Sequence, residues 1–143
     1  MNTNIKLMVV MSKMNRAFLS NLSKNLESHG ISSSAYTMLA HLNDVGRSKT
    51  QKLGEVSMIT SGTITHVINK LIKAGYVFKV QDPSDKRVFW VEITQEGRDY
   101  FLSIHDKHMV YLDQLLSDFT ETEKTDFIET IKYFGKKIDA KKE

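Results

Sequence analysis

A chain of 143 residues, 41% hydrophobic and 26% charged, suits one domain, or one domain plus helices that need a partner to bury them. It has no cysteine, which excludes a disulfide framework, thiolate metal ligation and a thiol-based redox switch. Twenty bases against 17 acids give a net charge of +3 and a pI near 9.0, a balance that favours a polyanionic partner without choosing between nucleic acid and a membrane surface.

The apolar run from Ile5 to Met11 is interrupted by Lys6 and followed by Lys13 and Arg16, with no small-residue cleavage site. Neither a signal peptide nor a membrane span is expected, and the chain is placed in the cytoplasm. Ile5, Met8, Val9, Met11, Phe18, Leu19, Leu22 and Leu26 recur at helical spacing and predict one helix of about 25 residues, roughly 38 Å long, ended by Gly30. Ser32 or Ser33 caps a second helix whose buried stripe is Tyr36, Leu39, Ala40 and Leu42. A brief strand at Arg47 to Lys49 follows. Thr50 fits the cap of a two-turn third helix burying Leu53 and Val56, and Ser57-Met58-Ile59 makes the bend out of it.

Thr60 is placed to cap a fourth helix in which Ile64, Val67, Ile68 and Leu71 stand at i, i+3, i+4 and i+7 and must face inward. Gly62, His66, Asn69 and Lys73 point the opposite way, flanked by Ser61, Thr63, Thr65 and Lys70. Small polar and basic groups of this kind match what a major groove admits: short side chains near the helix start reach base edges and lysines further along reach phosphates. An ordinary solvated helix face has the same composition, so the helix alone leaves both open.

Val77 to Gln81 and Val88 to Ile93 alternate as two strands, and Asp82-Pro83 starts the turn between them because proline fixes φ at the second turn position. Asp85, Lys86 and Arg87 lie at the tip. An arginine on a thin projecting ribbon can enter a narrow minor groove, with Asp85 orienting it; the alternative is a surface ion pair of little energetic worth. Residues 60 to 90 hold five bases and two acids while the rest of the chain holds 15 of each sign, so the whole surplus falls on this segment. Thr94 fits the cap of a long fifth helix through Leu116, and Thr120-Glu121-Thr122-Glu123 is a capping-box pattern opening a sixth with Phe127, Ile128, Ile131, Phe134 and Ile138. The two terminal helical segments carry more apolar positions than a compact core can cover, so a second subunit is expected to shield them.

The stretch Asp82-Pro83-Ser84-Asp85-Lys86-Arg87, followed after one strand by Ile93-Thr94-Gln95-Glu96-Gly97, resembles the wing and next helix start of the MarR family of bacterial transcription regulators. Gly30-Ile31-Ser32, Ser61-Gly62-Thr63-Ile64-Thr65 and Leu71 with Gly75-Tyr76-Val77 are similar to further family positions. The resemblance implies a mostly α chain with a small β wing, a winged helix-turn-helix plus N- and C-terminal dimerisation helices. On this pattern residues 1–29 form a dimerisation helix, 30–98 the DNA-binding domain and 99–143 the C-terminal dimerisation helices. It also implies a homodimer on a pseudo-palindromic operator, usually a repressor released by a small ligand of phenolic or aromatic type. The residues expected at double-stranded DNA are Thr60, Ser61, Gly62, Thr63, Thr65, His66, Asn69, Lys70, Lys73, Asp85, Lys86 and Arg87. Position 66, often arginine in the family, is histidine here, and the cysteine of the peroxide-sensing branch is missing. Met8, Met11, Tyr36 and Tyr111 are places where a ligand pocket would fall, though each also reads as core.

Other classes fit less well. There is no glycine-rich phosphate loop and no glycine-x-serine-x-glycine elbow, and Asp82 with Asp85 at a solvated turn is badly placed for acid–base work, so no enzyme and no cofactor is expected. His105 and His108 share a helix face at i, i+3 and could hold a metal with a third ligand, or be a solvated or interface pair. A winged helix that binds an acidic protein partner, without operator specificity, is the remaining alternative.

Overall fold

The computed structural model describes residues 2–57 and 61–142, and of Ser61 the backbone only. Two compact units are present, Met1–Met109 and Val110–Glu143. In the first, α1 (Thr3–Ser28), α2 (Ser33–Val45), β1 (Arg47–Lys49), α3 (Thr50–Ser57), α4 (Ser61–Lys73), β2 (Val77–Gln81), β3 (Phe89–Ile93) and most of α5 (Gln95–Leu115) follow one another; the second holds the last turns of α5 and α6 (Glu121–Asp139).

Buried side chains explain the arrangement of the first unit. Met38, Leu39 and Leu42 of α2, Leu53 of α3 and Ile64, Val67, Ile68 and Leu71 of α4 meet Val77, Val91 and Ile93 of the sheet and Phe101 and Ile104 of α5. The inward stripe of α4 is the one its spacing predicts. On α2 the stripe differs: Ala35 and Met38 are buried, while Tyr36 and Ala40 are only half-buried. The Tyr36 hydroxyl explains its own position, since it reaches Nδ1 of His105 at 2.7 Å instead of entering the apolar centre. On α3 Gly54 is buried and Val56 half-buried.

The strands form an antiparallel sheet in the order β1-β3-β2, with Ser48 opposite Val91, Lys49 opposite Trp90 and Val77 opposite Ile93. Thr50 is the first residue of α3 and not the cap before it; its hydroxyl donates to the Phe89 carbonyl, fastening α3 to β3. Ser57 ends α3, while the expected bend at Met58 and Ile59 and the expected cap at Thr60 lie outside the described residues.

Helix ends follow local chemistry. Ser32 caps α2 by accepting from the Ala35 N–H. Helix α4 stops at Lys73, and Gly75 takes φ +81°, a left-handed turn that favours glycine. Thr94 caps α5, accepting from Gly97 N–H at 3.0 Å and donating to the Gly75 carbonyl at 2.7 Å. Thr120 and Glu123 form the expected capping box of α6.

Of the apolar positions of α1, Leu26 alone is buried, and Ile5, Met8, Met11 and Leu19 are exposed. Helix α6 has no buried residue, and Phe127, Ile128, Ile131, Phe134 and Ile138 are all exposed. Among the described residues no helix is long and apolar enough to cross a membrane.

Candidate nucleic-acid interface

With Ile64, Val67, Ile68 and Leu71 turned inward, helical geometry forces the remaining face of α4 outward. Gly62, Thr63, Thr65, His66, Asn69, Lys70 and Lys73 are all exposed on it. The 13 residues of α4 span about 20 Å at 1.5 Å per residue, enough to lie along a groove. Nothing bulky or acidic stands among these side chains. His66 and Lys70 also border a cleft of about 430 Å³ whose other walls include Ile31, Ser34, Tyr76 and Tyr100. Thr60 and the side chain of Ser61 lie outside the described residues.

The loop between β2 and β3 is built around one carboxylate. Asp82 Oδ1 accepts from the Ser84 hydroxyl at 2.6 Å, the Ser84 N–H at 2.8 Å and the Asp85 N–H at 3.2 Å, closing the turn that Pro83 begins. Its Oδ2 accepts from the Trp90 indole at 2.8 Å, which fastens the loop to the central strand. The Ser84 and Trp90 donors favour the ionised form and hold the Asp82 carboxyl far below the usual carboxylate range.

At the tip, Arg87 Nε and Nη2 donate to the two oxygens of Asp85 at 3.1 and 3.0 Å, a bidentate clamp, while the Arg87 N–H also donates to Asp85 Oδ1 at 3.0 Å. The Arg87 side chain is nonetheless 90% exposed. Arg87 in turn keeps the Asp85 carboxyl below its ordinary value. Lys86 is exposed beside it, its carbonyl accepting from the Gln81 amide. Two carboxylates held ionised by fixed donors cannot exchange protons near neutral pH, so the pair is suited to shaping the loop and not to acid–base chemistry.

The histidine pair is engaged elsewhere. His105 meets Tyr36, and His108, buried in the first unit, places Nδ1 2.8 Å from Asn25 Oδ1. Among the described residues no group of three or more metal-ligating side chains is assembled.

Sequence spacing misses three residues next to the wing: Arg47, Lys49 and Trp90. They come together only through the β1–β3 pairing, with Arg47 centred 4.3 Å and Lys49 5.3 Å from the Trp90 ring. The available signal was the basic-polar-basic alternation of Arg47-Ser48-Lys49, which assigns both cations to one face of a strand.

A model of the MarR family matches residues 31–89, the stretch from the loop before α2 to the start of β3. The HTH-type transcriptional regulator MhqR of Bacillus subtilis is 27% identical over 132 residues, covering 92% of this chain and 91% of that protein. AbsC, a MarR family transcriptional regulator from Streptomyces coelicolor, shares the fold with a TM-score of 0.82 at 19% identity over 99% of this chain and 97% of its own. Sco3205, a MarR family regulator of the same organism solved in complex with DNA, superposes with a TM-score of 0.79 at 23% identity, covering 94% and 88% of the two chains. All three of these proteins are transcriptional regulators. A sequence match centred on α2 to β3 and a fold match over nearly the whole length, joined to an outward polar α4 and an Asp-clamped arginine wing, make the chain similar to the MarR family of winged helix-turn-helix transcription regulators.

Proposed function

We propose that the protein is a sequence-specific regulator of transcription that binds a pseudo-palindromic operator in double-stranded DNA as a homodimer, working in the cytoplasm as a repressor released by a small phenolic or aromatic ligand. The observation that carries the DNA reading is the combination of an exposed, acid-free face on α4 with an arginine held outward on a stiff loop. In this reading α4 enters the major groove, with Thr60, Ser61, Gly62, Thr63, Thr65, His66 and Asn69 near base edges and Lys70 and Lys73 toward phosphates. The wing loop, with Asp85, Lys86 and Arg87, meets the neighbouring minor groove, where a narrow wall-to-wall spacing strengthens the attraction for a guanidinium.

The dimer is supported by the unshielded apolar faces of α1 and α6. Met8 is 62% exposed and Phe127 49%, and apolar helix faces of this kind are stable in water when a partner covers them. Residues 1–29 and 99–143 then serve as dimerisation helices around a DNA-binding domain at 30–98. Two-fold symmetry would set the two α4 helices about 34–36 Å apart, one turn of duplex.

Selection of bound sequences from a random duplex library, followed by titration, tests the reading. Arg87→Ala should weaken the selected duplex about tenfold or more, whereas Lys73→Ala should weaken all duplexes alike and reduce the salt slope by about one unit. Repeating the selection with phenolic compounds tests release. A protein that enriches no sequence, yet captures an acidic protein partner, would replace this function with the interaction-module alternative.

A further inference from the structure

The outer face of the sheet carries a cation cluster beyond the residues assigned above. In β1, Ser48 is buried opposite Val91, so Arg47 and Lys49 project from the other face, across from Glu92 and Trp90. Both cations lie over the indole ring, whose π-face attracts positive charge and limits how far the flexible stems roam. Arg47 is partly neutralised by Glu92 at 3.8 Å. Lys49 is different: among the described residues no carboxylate forms an ion pair with it, although its charge is close enough to Asp85 to help keep that carboxyl ionised. The same Trp90 that supports Lys49 donates its N–H to Asp82 and so holds the loop bearing Lys86 and Arg87.

An unpaired ammonium on an aromatic platform, on the flank of a ribbon whose arginine faces a minor groove, has an obvious counter-charge. The walls of a minor groove are the two phosphate strands, so a wing that inserts a guanidinium brings its flanks alongside phosphates. We infer that Lys49, positioned by the Trp90 ring, is a further phosphate-contacting residue that extends the DNA-binding surface from the wing loop onto β1. This rests on the reading of the chain as a binder of duplex DNA. Lys49 contributes charge without base discrimination, while Arg47, held between Glu92 and the indole, fills the other half of the platform and keeps the ring in place.

The test uses the full chain as wild type, Lys49→Gln and Lys49→Arg, titrated with the selected duplex and an unrelated duplex at several salt concentrations. Removing one phosphate contact should lower the slope of log affinity against log salt by about 0.9 and weaken binding about eightfold at 0.1 M salt. The expected result is that Lys49→Gln shows both changes on both duplexes and Lys49→Arg shows neither. If Lys49→Gln keeps the wild-type slope while sequence preference is intact, the inference is overturned and the regulator reading stands. A loss confined to the selected duplex overturns the phosphate assignment in favour of base contact. A wild-type protein with no preference among duplexes removes both the inference and its foundation.

Discussion

Gly97, in the first turn of α5, is where the fold tolerates least change. A Cβ built there would lie 2.1 Å from the Tyr76 carbonyl oxygen and 2.9 Å from Ile93 Cγ1, so Gly97→Ala demands a separation of about 1 Å between α5 and the chain entering β2. Neither side is free to yield. The Tyr76 carbonyl accepts from the Thr94 N–H at 3.0 Å, the Tyr76 N–H donates to the Leu71 carbonyl at 3.0 Å, and Thr94 caps α5 through Gly97 itself. Tyr76 and Tyr100 also stack with ring centres 4.1 Å apart. Overpacking against backbone costs about 3 kcal/mol and disturbing the cap about 1 kcal/mol more, offset by about 1 kcal/mol of better helix propensity, leaving a net loss of about 3 kcal/mol. With a urea slope of about 2 kcal/mol/M the unfolding midpoint should fall by about 1.5 M at fixed protein concentration. A midpoint within about 0.3 M of wild type would refute the argument that close backbone approach requires glycine here.

Burial, with the nearby charges of His105 and His29, pushes the His108 pKa below its ordinary 6.5. The unfolded chain therefore takes up this proton near that value and the folded chain only at lower pH, so stability is lost as pH falls through the window between them. Urea midpoints from about pH 7.5 down to about pH 5.5 should fall for wild type and fall less for His108→Gln; equal slopes would remove His108 as the source. Charging the exposed face of α6 with Phe127→Glu and Ile131→Glu should leave the variant monomeric in ultracentrifugation and without operator affinity, and a dimer that persists would show that α6 is not the covered face. Thr120→Ala removes the hydroxyl half of the α6 capping box and should cost about 1 kcal/mol in a thermal melt, against no change if the helix start is held by other contacts.

Local signals were strong wherever a single element supplied its own reason. The α4 stripe, the Thr94 and Thr120 caps, the short strand at Arg47 to Lys49 and the turn at Asp82-Pro83 could all be read from spacing and residue type, because each depends on neighbours within a few positions. Tyr36 misled because its polar end finds His105, 69 positions away, a partner no helical periodicity reveals. Thr50 misled in the same way, its hydroxyl being taken by Phe89 across the sheet. The glycine at 97 was recognisable only as part of a familiar pattern; its physical cause, the Tyr76 carbonyl just before β2, required the folded chain. Charge counting along the sequence drew attention to residues 60 to 90 and away from Arg47 and Lys49, since strand pairing, not sequence proximity, sets them beside the wing.

The indole-to-carboxylate bond between Trp90 and Asp82 has a mechanical corollary. A hairpin loop left to itself would sample many orientations and surrender that freedom on meeting DNA, weakening the encounter. Tethered at its base to the middle strand, the loop instead moves as a spoke fixed to its hub, so the direction of Arg87 is decided when the chain folds. Any signal that turns β3 then turns the guanidinium with it, because the loop has no separate hinge to absorb the rotation.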